Sequence, residues 1–85
     1  MFCVYIIESL STSKWYYGYS QRPHERLKEH NGNHHHYTAN KGPWKLIFLK
    51  SFENRLEAVA FEKKLKALRN KEFISKEFAQ YFLNR

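Results

Sequence analysis

Residues 2–8, FCVYIIE, begin with six apolar or aromatic side chains in succession. Alternation along a strand places Phe2, Val4 and Ile6 on one face and Cys3, Tyr5 and Ile7 on the other. A strand that is apolar on both faces must be covered on both faces, which is typical of the centre of a sheet. The run therefore predicts a central strand with further elements packed above and below it.

The rest of the chain contains signals for further short elements. These are a strand at 15–19 (WYYGY), a helix at 23–30 (PHERLKEH), a loop at 31–43, a strand at 44–52 (WKLIFLKSF), a helix at 54–69 and a last helix at 71–84 (KEFISKEFAQYFLN). The short polar turn between the first two strands favours an antiparallel hairpin, which would bring Tyr5 and Tyr16 onto neighbouring strands.

Local signals support the helix boundaries. Pro23 suits a first helical position because that position needs no backbone N–H donor. Asn54 followed by Glu57 is a variant of the capping box that opens a helix. Within that helix, apolar residues recur at the spacing of a core-facing stripe: Phe61, Leu65 and Leu68.

These elements predict an α+β fold in which a three-stranded, mostly antiparallel sheet is flanked by helices. The aromatic side chains Phe73, Phe78 and Phe82 of the last helix are expected to pack back on the core. Because 85 residues supply only one hydrophobic core, residues 1–85 are expected to form a single domain.

Composition narrows the class of protein. Aromatic residues make up 18% of the chain, so a short sequence can bury a large area without disulfides. Cys3 is the single cysteine and cannot form an internal bridge. No segment reaches the roughly 18 to 20 apolar residues of a membrane span, and the first residues resemble no leader peptide. These features predict a cytoplasmic protein with no membrane partner.

The charge is strongly positive and unevenly distributed. The net charge is +7, and residues 45–85 carry ten basic and five acidic side chains, against five and three in residues 1–44. Five cations fall within residues 63–71 without an acid between them: Lys63, Lys64, Lys66, Arg69 and Lys71. Such a cluster favours a nucleic acid as partner, although a solvated helix face chosen for solubility has the same composition.

Each polar residue that could carry chemistry also has an ordinary structural explanation. Tyr5 and Tyr16 could be packing residues with a hydroxyl at the rim of a sheet. Glu62 could form an ion pair with Lys66, worth about 0.2–0.5 kcal/mol. Three adjacent histidines cannot easily face one ion, so a structural metal is not expected at His34, His35 and His36.

The order and spacing of these residues carry a more specific signal. A strand bearing CVY is followed by a strand bearing YYG, then by GYSQRPHERLKEHN, and later by FEKKLK on a helix. This pattern resembles the GIY-YIG nuclease superfamily, in particular its small stand-alone members of the UPF0213 type, related to the excinuclease C catalytic domain. The resemblance covers essentially the whole chain and is strongest over residues 3–31 and 56–66.

The resemblance assigns positions residue by residue. Tyr5 matches the tyrosine of the first triplet, Tyr16 and Gly18 match the second triplet, Arg26 and His30 match the helix positions, and Glu62 matches the metal-binding glutamate. The chain departs from the pattern at positions that a strand or turn tolerates: Cys3, Val4, Tyr17 and Ser20. Arg22 stands where a capping Asp or Asn is expected, and Asn70 is the nearest candidate for a late asparagine that some members use.

By this resemblance the chain is expected to be a metal-dependent DNA endonuclease, structure-selective or nonspecific, in DNA repair or recombination. Tyr16 or Tyr5 would activate the attacking water, and Arg26 would bind the scissile phosphate. His30 would orient a tyrosine or the phosphate, and Glu62 would hold one Mg²⁺ or Mn²⁺.

The helical wheel of residues 54–69 places Glu62 on a flank with Arg55, Lys66 and Arg69, away from the core stripe. This flank is expected to be basic and accessible. Contacts to DNA phosphates are expected from Arg22, Lys66, Arg69 and Lys71.

Two other functions fit the same sequence. One is a nucleic-acid-binding module that keeps the fold and the basic face without turnover. The other is a protein-interaction module in which the late aromatic helix docks a partner protein.

Overall fold

The computed structural model describes residues 1–32 and 38–83. The elements are β1 (Phe2–Ser9), β2 (Trp15–Ser20), α1 (Pro23–Asn31), β3 (Trp44–Phe52), α2 (Arg55–Leu68), α3 (Lys71–Glu77) and a 3₁₀ turn (Ala79–Tyr81). Their bounds agree with the prediction to within one or two residues, except after α2. No structural metal was expected at the three adjacent histidines, and these residues, His34, His35 and His36, lie outside the described residues.

The three strands form one antiparallel sheet in the order β2-β1-β3. β1 is central, as its two apolar faces predict, and the expected hairpin of β1 and β2 is confirmed. In its register Tyr5 lies opposite Gly18 and Ile7 lies opposite Tyr16. With helices packed around this sheet, the α+β fold class is confirmed.

The buried hydrophobic residues form two clusters, one on each face of the sheet. Val4 and Ile6 pack with Leu65 of α2 on one face, and Tyr5 packs with Leu27 of α1 on the other. The alternation within β1 therefore has the predicted sense. It follows that α1 and α2 cover opposite faces of the sheet, with β2 at one edge between them.

The two longer helices begin in different ways. Arg22, at the N-cap of α1, makes no side-chain capping bond, as expected for an arginine at that position. At α2, Oδ1 of Asn54 accepts from the backbone N–H of Glu57 at 2.9 Å. The amide nitrogen of Asn54 in turn donates to the Glu57 carboxylate at 2.7 Å, which confirms the predicted capping pair.

The prediction of one continuous helix over residues 71–84 is wrong. α3 ends at Glu77, a 3₁₀ turn follows, and Phe82 then adopts an extended conformation. Phe82 forms an isolated bridge with Phe48, and the N–H of Leu83 donates to the carbonyl of Ile47 at 2.9 Å. The chain leaves the helix here because a helical backbone cannot pair with a strand while Phe82 enters the core.

The expected packing of Phe73 is also wrong, since its side chain is 45% exposed. Ile74 is the buried residue of α3, so the core-facing side of this helix is shifted by one position. Phe78 and Phe82 do pack on the core as predicted. Two of the three aromatic side chains that a docking helix would offer are therefore covered within the chain.

No helix within residues 1–32 and 38–83 is both long enough and apolar enough to cross a membrane.

Asn70 caps α3, because its Oδ1 accepts from the backbone N–H of Phe73 at 2.9 Å. We expect Asn70→Ala to lower the free energy of unfolding by about 0.5–2 kcal/mol, since it leaves that N–H without its acceptor. Asn70→Asp keeps an acceptor and should unfold close to the wild type. Urea unfolding of the three proteins tests this, and equal stabilities would contradict a capping role.

Candidate active site

Tyr5 and Gly18 form a close contact across the β1–β2 hairpin. The two residues are register partners, and Tyr5 is only 3% exposed. A Cβ atom on Gly18 would lie 2.5 Å from the hydroxyl oxygen of Tyr5 and 2.6 Å from its Cζ. The phenol ring thus fills the space that any other side chain at position 18 would need. This steric constraint explains why a glycine stands at this position of the second triplet.

His30 joins the two tyrosines from α1. Its Nε2 is hydrogen-bonded to the hydroxyl of Tyr5 at 3.0 Å, and both residues are buried. The ring of Tyr16 lies against the His30 ring, with centroids 4.9 Å apart and planes inclined by 57°. Tyr16 remains half-buried, so three of the residues matched by sequence meet on the α1 face of the sheet.

The pKa of the Tyr5 hydroxyl is also affected by charged side chains of α1 and α2. Burial raises its pKa well above the usual range of a phenol, and the neighbouring Tyr16, Glu62 and Glu29 act in the same direction. The guanidinium of Arg26 lowers the pKa of Tyr5 but does not outweigh the burial. Tyr5 is therefore a protonated hydroxyl at neutral pH, with Arg26 and Glu62 within electrostatic reach.

Arg26 lies one turn before His30 on α1 and is 43% exposed. Its Nη1 is 3.4 Å from Oε1 of Glu29. Arg26 borders a cleft of about 360 Å³ whose other lining residues are Phe2, Tyr19, Ser20, Gln21, Arg22, Glu25 and Glu29. An ion pair at this exposure contributes only about 0–1 kcal/mol, so the guanidinium can turn to an incoming phosphate.

Glu62 does not occupy the accessible face that the helical wheel predicts. Its side chain is only 12% exposed, and its Oε1 is 3.3 Å from Nζ of Lys66, which is 54% exposed. The wheel is misleading because α2 packs across both β1 and β2, so a flank beside the apolar stripe is covered as well. The negative charge of this carboxylate is close enough to the Tyr5 hydroxyl to raise its pKa.

A divalent metal ion is compatible with this donor set. No group of three or more His, Cys, Asp or Glu side chains able to hold an ion occurs in residues 1–32 and 38–83. Glu62 offers a hard carboxylate oxygen that acts electrostatically on the Tyr5 hydroxyl. Mg²⁺ commonly uses one or two carboxylates together with water and substrate phosphate, so a single glutamate fits such an ion.

The remaining predicted cations are spread around the site rather than gathered in it. Arg22 borders the same cleft as Arg26 and pairs with Glu25 at 3.2 Å. Arg69 is the exposed C-cap of α2, in the left-handed conformation with φ 54°. Lys71 is held at the β1–β2 turn, where Nζ donates to the carbonyl of Ser13 and lies 5.1 Å from the Trp15 ring centroid.

One residue at the site was missed from the sequence. Thr38 is completely buried, and its Oγ1 is 2.8 Å from Nδ1 of His30. A threonine in a loop, eight residues after the histidine, has neither helical nor strand spacing to mark it. Its position is decided by its tertiary contact with His30 of α1.

Comparison with known proteins agrees with this geometry. Residues 1–77 match the model of the GIY-YIG catalytic domain. The chain belongs to the GIY-YIG family. It is 38% identical over 68 residues to the UPF0213 protein YazA of Bacillus subtilis (strain 168), covering 79% of this chain and 68% of YazA. No solved structure matches the chain.

A second relative is similar to the chain to about the same extent. The UPF0213 protein BH0048 of Halalkalibacterium halodurans is 36% identical over 66 residues, which cover 76% of this chain and 69% of BH0048. The resemblance read from the two tyrosine triplets is thereby confirmed, and with it membership of a nuclease family.

The contact of Tyr5 with Gly18 can be tested by adding one methyl group. We expect Gly18→Ala to lower the free energy of unfolding by about 1–3 kcal/mol, because the new Cβ must displace an enclosed ring. In a Tyr5→Ala background the ring is absent and the same substitution should cost much less. Urea unfolding of the four proteins gives the coupling, and a cost undiminished in the Tyr5→Ala background would contradict this packing.

Proposed function

We propose that this GIY-YIG protein hydrolyses DNA phosphodiester bonds with one divalent metal ion, Mg²⁺ or Mn²⁺, held by Glu62. The observation that carries the proposal is that a histidine, a second tyrosine, an arginine and a glutamate all interact with one hydroxyl group, that of Tyr5. Tyr5 and Tyr16 contact His30, while Arg26 and Glu62 act on the Tyr5 hydroxyl from opposite helices. A packing role alone does not require this combination.

The chemistry needs a deprotonated water, neutralisation of charge on the phosphate and help for the departing 3′ oxygen. Arg26 places a planar, permanently charged guanidinium group at the cleft, where a phosphate can reach it. A metal ion bound at Glu62 would supply further positive charge to the phosphate oxygens. His30 holds the two tyrosines in a fixed relation to Arg26.

Between the two tyrosines, we assign activation of water to Tyr16. This role requires the deprotonated phenol, which the positive charge of a divalent ion at Glu62 would favour. Its side chain is half-buried, so water and substrate can approach it. Tyr5 is enclosed, its hydroxyl is bonded to His30, and its pKa is raised by burial. Tyr5 therefore acts as a fixed polar group beside the phosphate rather than as the base.

The proposed substrate is DNA bound through its backbone. Arg22 borders the cleft with Arg26, whereas Lys66 and Arg69 lie on α2 and at its end. Cations of this kind contact phosphates rather than base edges, which favours structure-selective or nonspecific cleavage, as in DNA repair or recombination.

A second candidate function is nucleic-acid binding without turnover. It is favoured by the ion pairs of the two most important charged groups, Arg26 with Glu29 and Glu62 with Lys66. If phosphate and metal cannot replace these partners, the chain would bind DNA and leave it intact.

The proposal is tested by incubating the pure protein with labelled branched, flapped, single-stranded and duplex DNA in Mg²⁺, Mn²⁺ or EDTA. We expect cleavage only with metal. Glu62→Gln should abolish it with DNA affinity nearly unchanged, because the substitution removes the charged metal ligand and preserves side-chain size. Tyr16→Phe should reduce the cleavage rate by about 100-fold or more, as expected when a proton acceptor is lost.

Glu72→Gln is a matched control, because Glu72 forms the same i,i+4 pair with Lys76 on α3. It should cleave at the wild-type rate. Wild-type cleavage by Glu62→Gln would show that the metal assignment is wrong. Binding of every DNA without cleavage by the wild type would select the second candidate function.

DNA affinity should also depend steeply on salt. Each phosphate neutralised by a cation contributes about −0.9 to the slope of log K against log salt for duplex DNA. Arg69→Asn removes one charge while tolerating the left-handed backbone, so the slope should become shallower by about one. Lys76→Ala, which removes a cation from α3, should leave the slope unchanged, and a flat wild-type dependence would argue against phosphate binding.

A further inference from the structure

A closed ring of hydrogen bonds anchors the end of α1 to the start of β3. The side chain of Asn31 accepts from the backbone N–H of Trp44 at 2.6 Å and donates to the carbonyl of Trp44 at 3.1 Å. The indole N–H of Trp44 donates to the carbonyl of Thr38 at 3.1 Å. Thr38 then bonds His30, the neighbour of Asn31, and so completes the ring.

The ring holds Thr38 against one nitrogen of His30 while Tyr5 holds the other. Oγ1 of Thr38 is 2.8 Å from Nδ1, and the hydroxyl of Tyr5 is 3.0 Å from Nε2. All three side chains are buried, so water does not compete for these bonds. Each nitrogen of a neutral imidazole is either a donor or an acceptor, and its two hydroxyl partners must adopt the complementary roles.

We propose that Thr38 is a positioning residue that keeps the proton of His30 on Nδ1, so that Nε2 accepts the hydroxyl hydrogen of Tyr5. This direction is preferred because a phenol is a stronger acid than a neutral imidazole N–H, and an imidazole nitrogen is a better acceptor than a phenol oxygen. The Thr38 hydroxyl can accept from Nδ1–H in this arrangement. The opposite direction would use the weaker donor and the weaker acceptor together.

The tautomer of His30 determines how the Tyr5 oxygen can form further hydrogen bonds. With its hydrogen committed to His30, this oxygen offers only lone pairs to the side where Arg26 acts on it. It can then accept from the guanidinium or from a water at a fixed position. This catalytic consequence rests on the proposed nuclease function, whereas the tautomer assignment of His30 does not.

The tautomer can be measured without any cleavage assay. In the full chain labelled with ¹⁵N-histidine, two-bond ¹H–¹⁵N correlations show which ring nitrogen carries the proton, and the His30→Gln spectrum assigns the signal. We expect the Nδ1–H form in the wild type. Thr38→Val keeps the shape but removes the Thr38 oxygen that stabilises Nδ1–H, so the population of the Nε2–H form should rise, and Thr38→Ser should restore the wild-type pattern.

Kinetics test the functional part on the most rapidly cleaved DNA. We expect Thr38→Val to reduce kcat by about 10- to 100-fold with KM unchanged, a loss of the size seen when the hydrogen-bond partner of a metal-binding histidine is removed. Thr38→Ser should recover most of the rate. Thr12→Val, which removes an exposed hydroxyl from the β1–β2 turn, is the matched control and should change neither the tautomer nor kcat.

The outcomes distinguish the tautomer of His30 from the positioning role of Thr38. An Nε2–H form in the wild type overturns the tautomer assignment, and an unchanged Nδ1–H form in a folded Thr38→Val protein overturns the role of Thr38 in holding the proton there. A shifted tautomer with an unchanged kcat overturns the positioning role. Absence of cleavage by the wild type defeats the proposed function and the positioning role together, while the tautomer measurement still decides the structural assignment.

Discussion

The hydrogen bond between the hydroxyl of Tyr5 and Nε2 of His30 is the contact on which the candidate active site depends. It connects the central strand to α1 through a space that exists because position 18 has no side chain. Both partners are buried, so the bond fixes the orientation of the His30 ring. That ring in turn supports Tyr16, and the same helix carries Arg26 one turn earlier.

The edge position of β2 explains how two helices on opposite faces of the sheet act on one hydroxyl. α1 packs on the face that contains Tyr5, and α2 packs on the face that contains Val4. β2 is an edge strand, so side chains from either face of the sheet can approach it. Tyr5 reaches this edge by lying over Gly18, where both Arg26 and Glu62 influence it.

Charge at the site is balanced within the chain itself. Arg26 pairs with Glu29 and Glu62 pairs with Lys66, although the whole protein carries a net charge of +7. Solvent-exposed pairs contribute about 0–1 kcal/mol, so a phosphate can replace Glu29 at low cost. Glu62 is more enclosed, and replacing Lys66 by a metal ion exchanges one positive partner for another without leaving a buried charge unpaired.

The sequence by itself determined most of the secondary structure and the family, because the relevant signals are local. Apolar residues on both faces of residues 2–8 specify a central strand, and Asn54 with Glu57 specifies the start of α2. The spacing of Tyr5, Tyr16, Arg26, His30 and Glu62 marked the family, which the comparison with known proteins confirms. The tertiary structure alone decided the end of α3, the exposure of Phe73, the burial of Glu62 and the contact of Thr38 with His30. Those features depend on which surfaces meet when distant segments pack, and the pattern within a single strand, helix or loop does not contain that information.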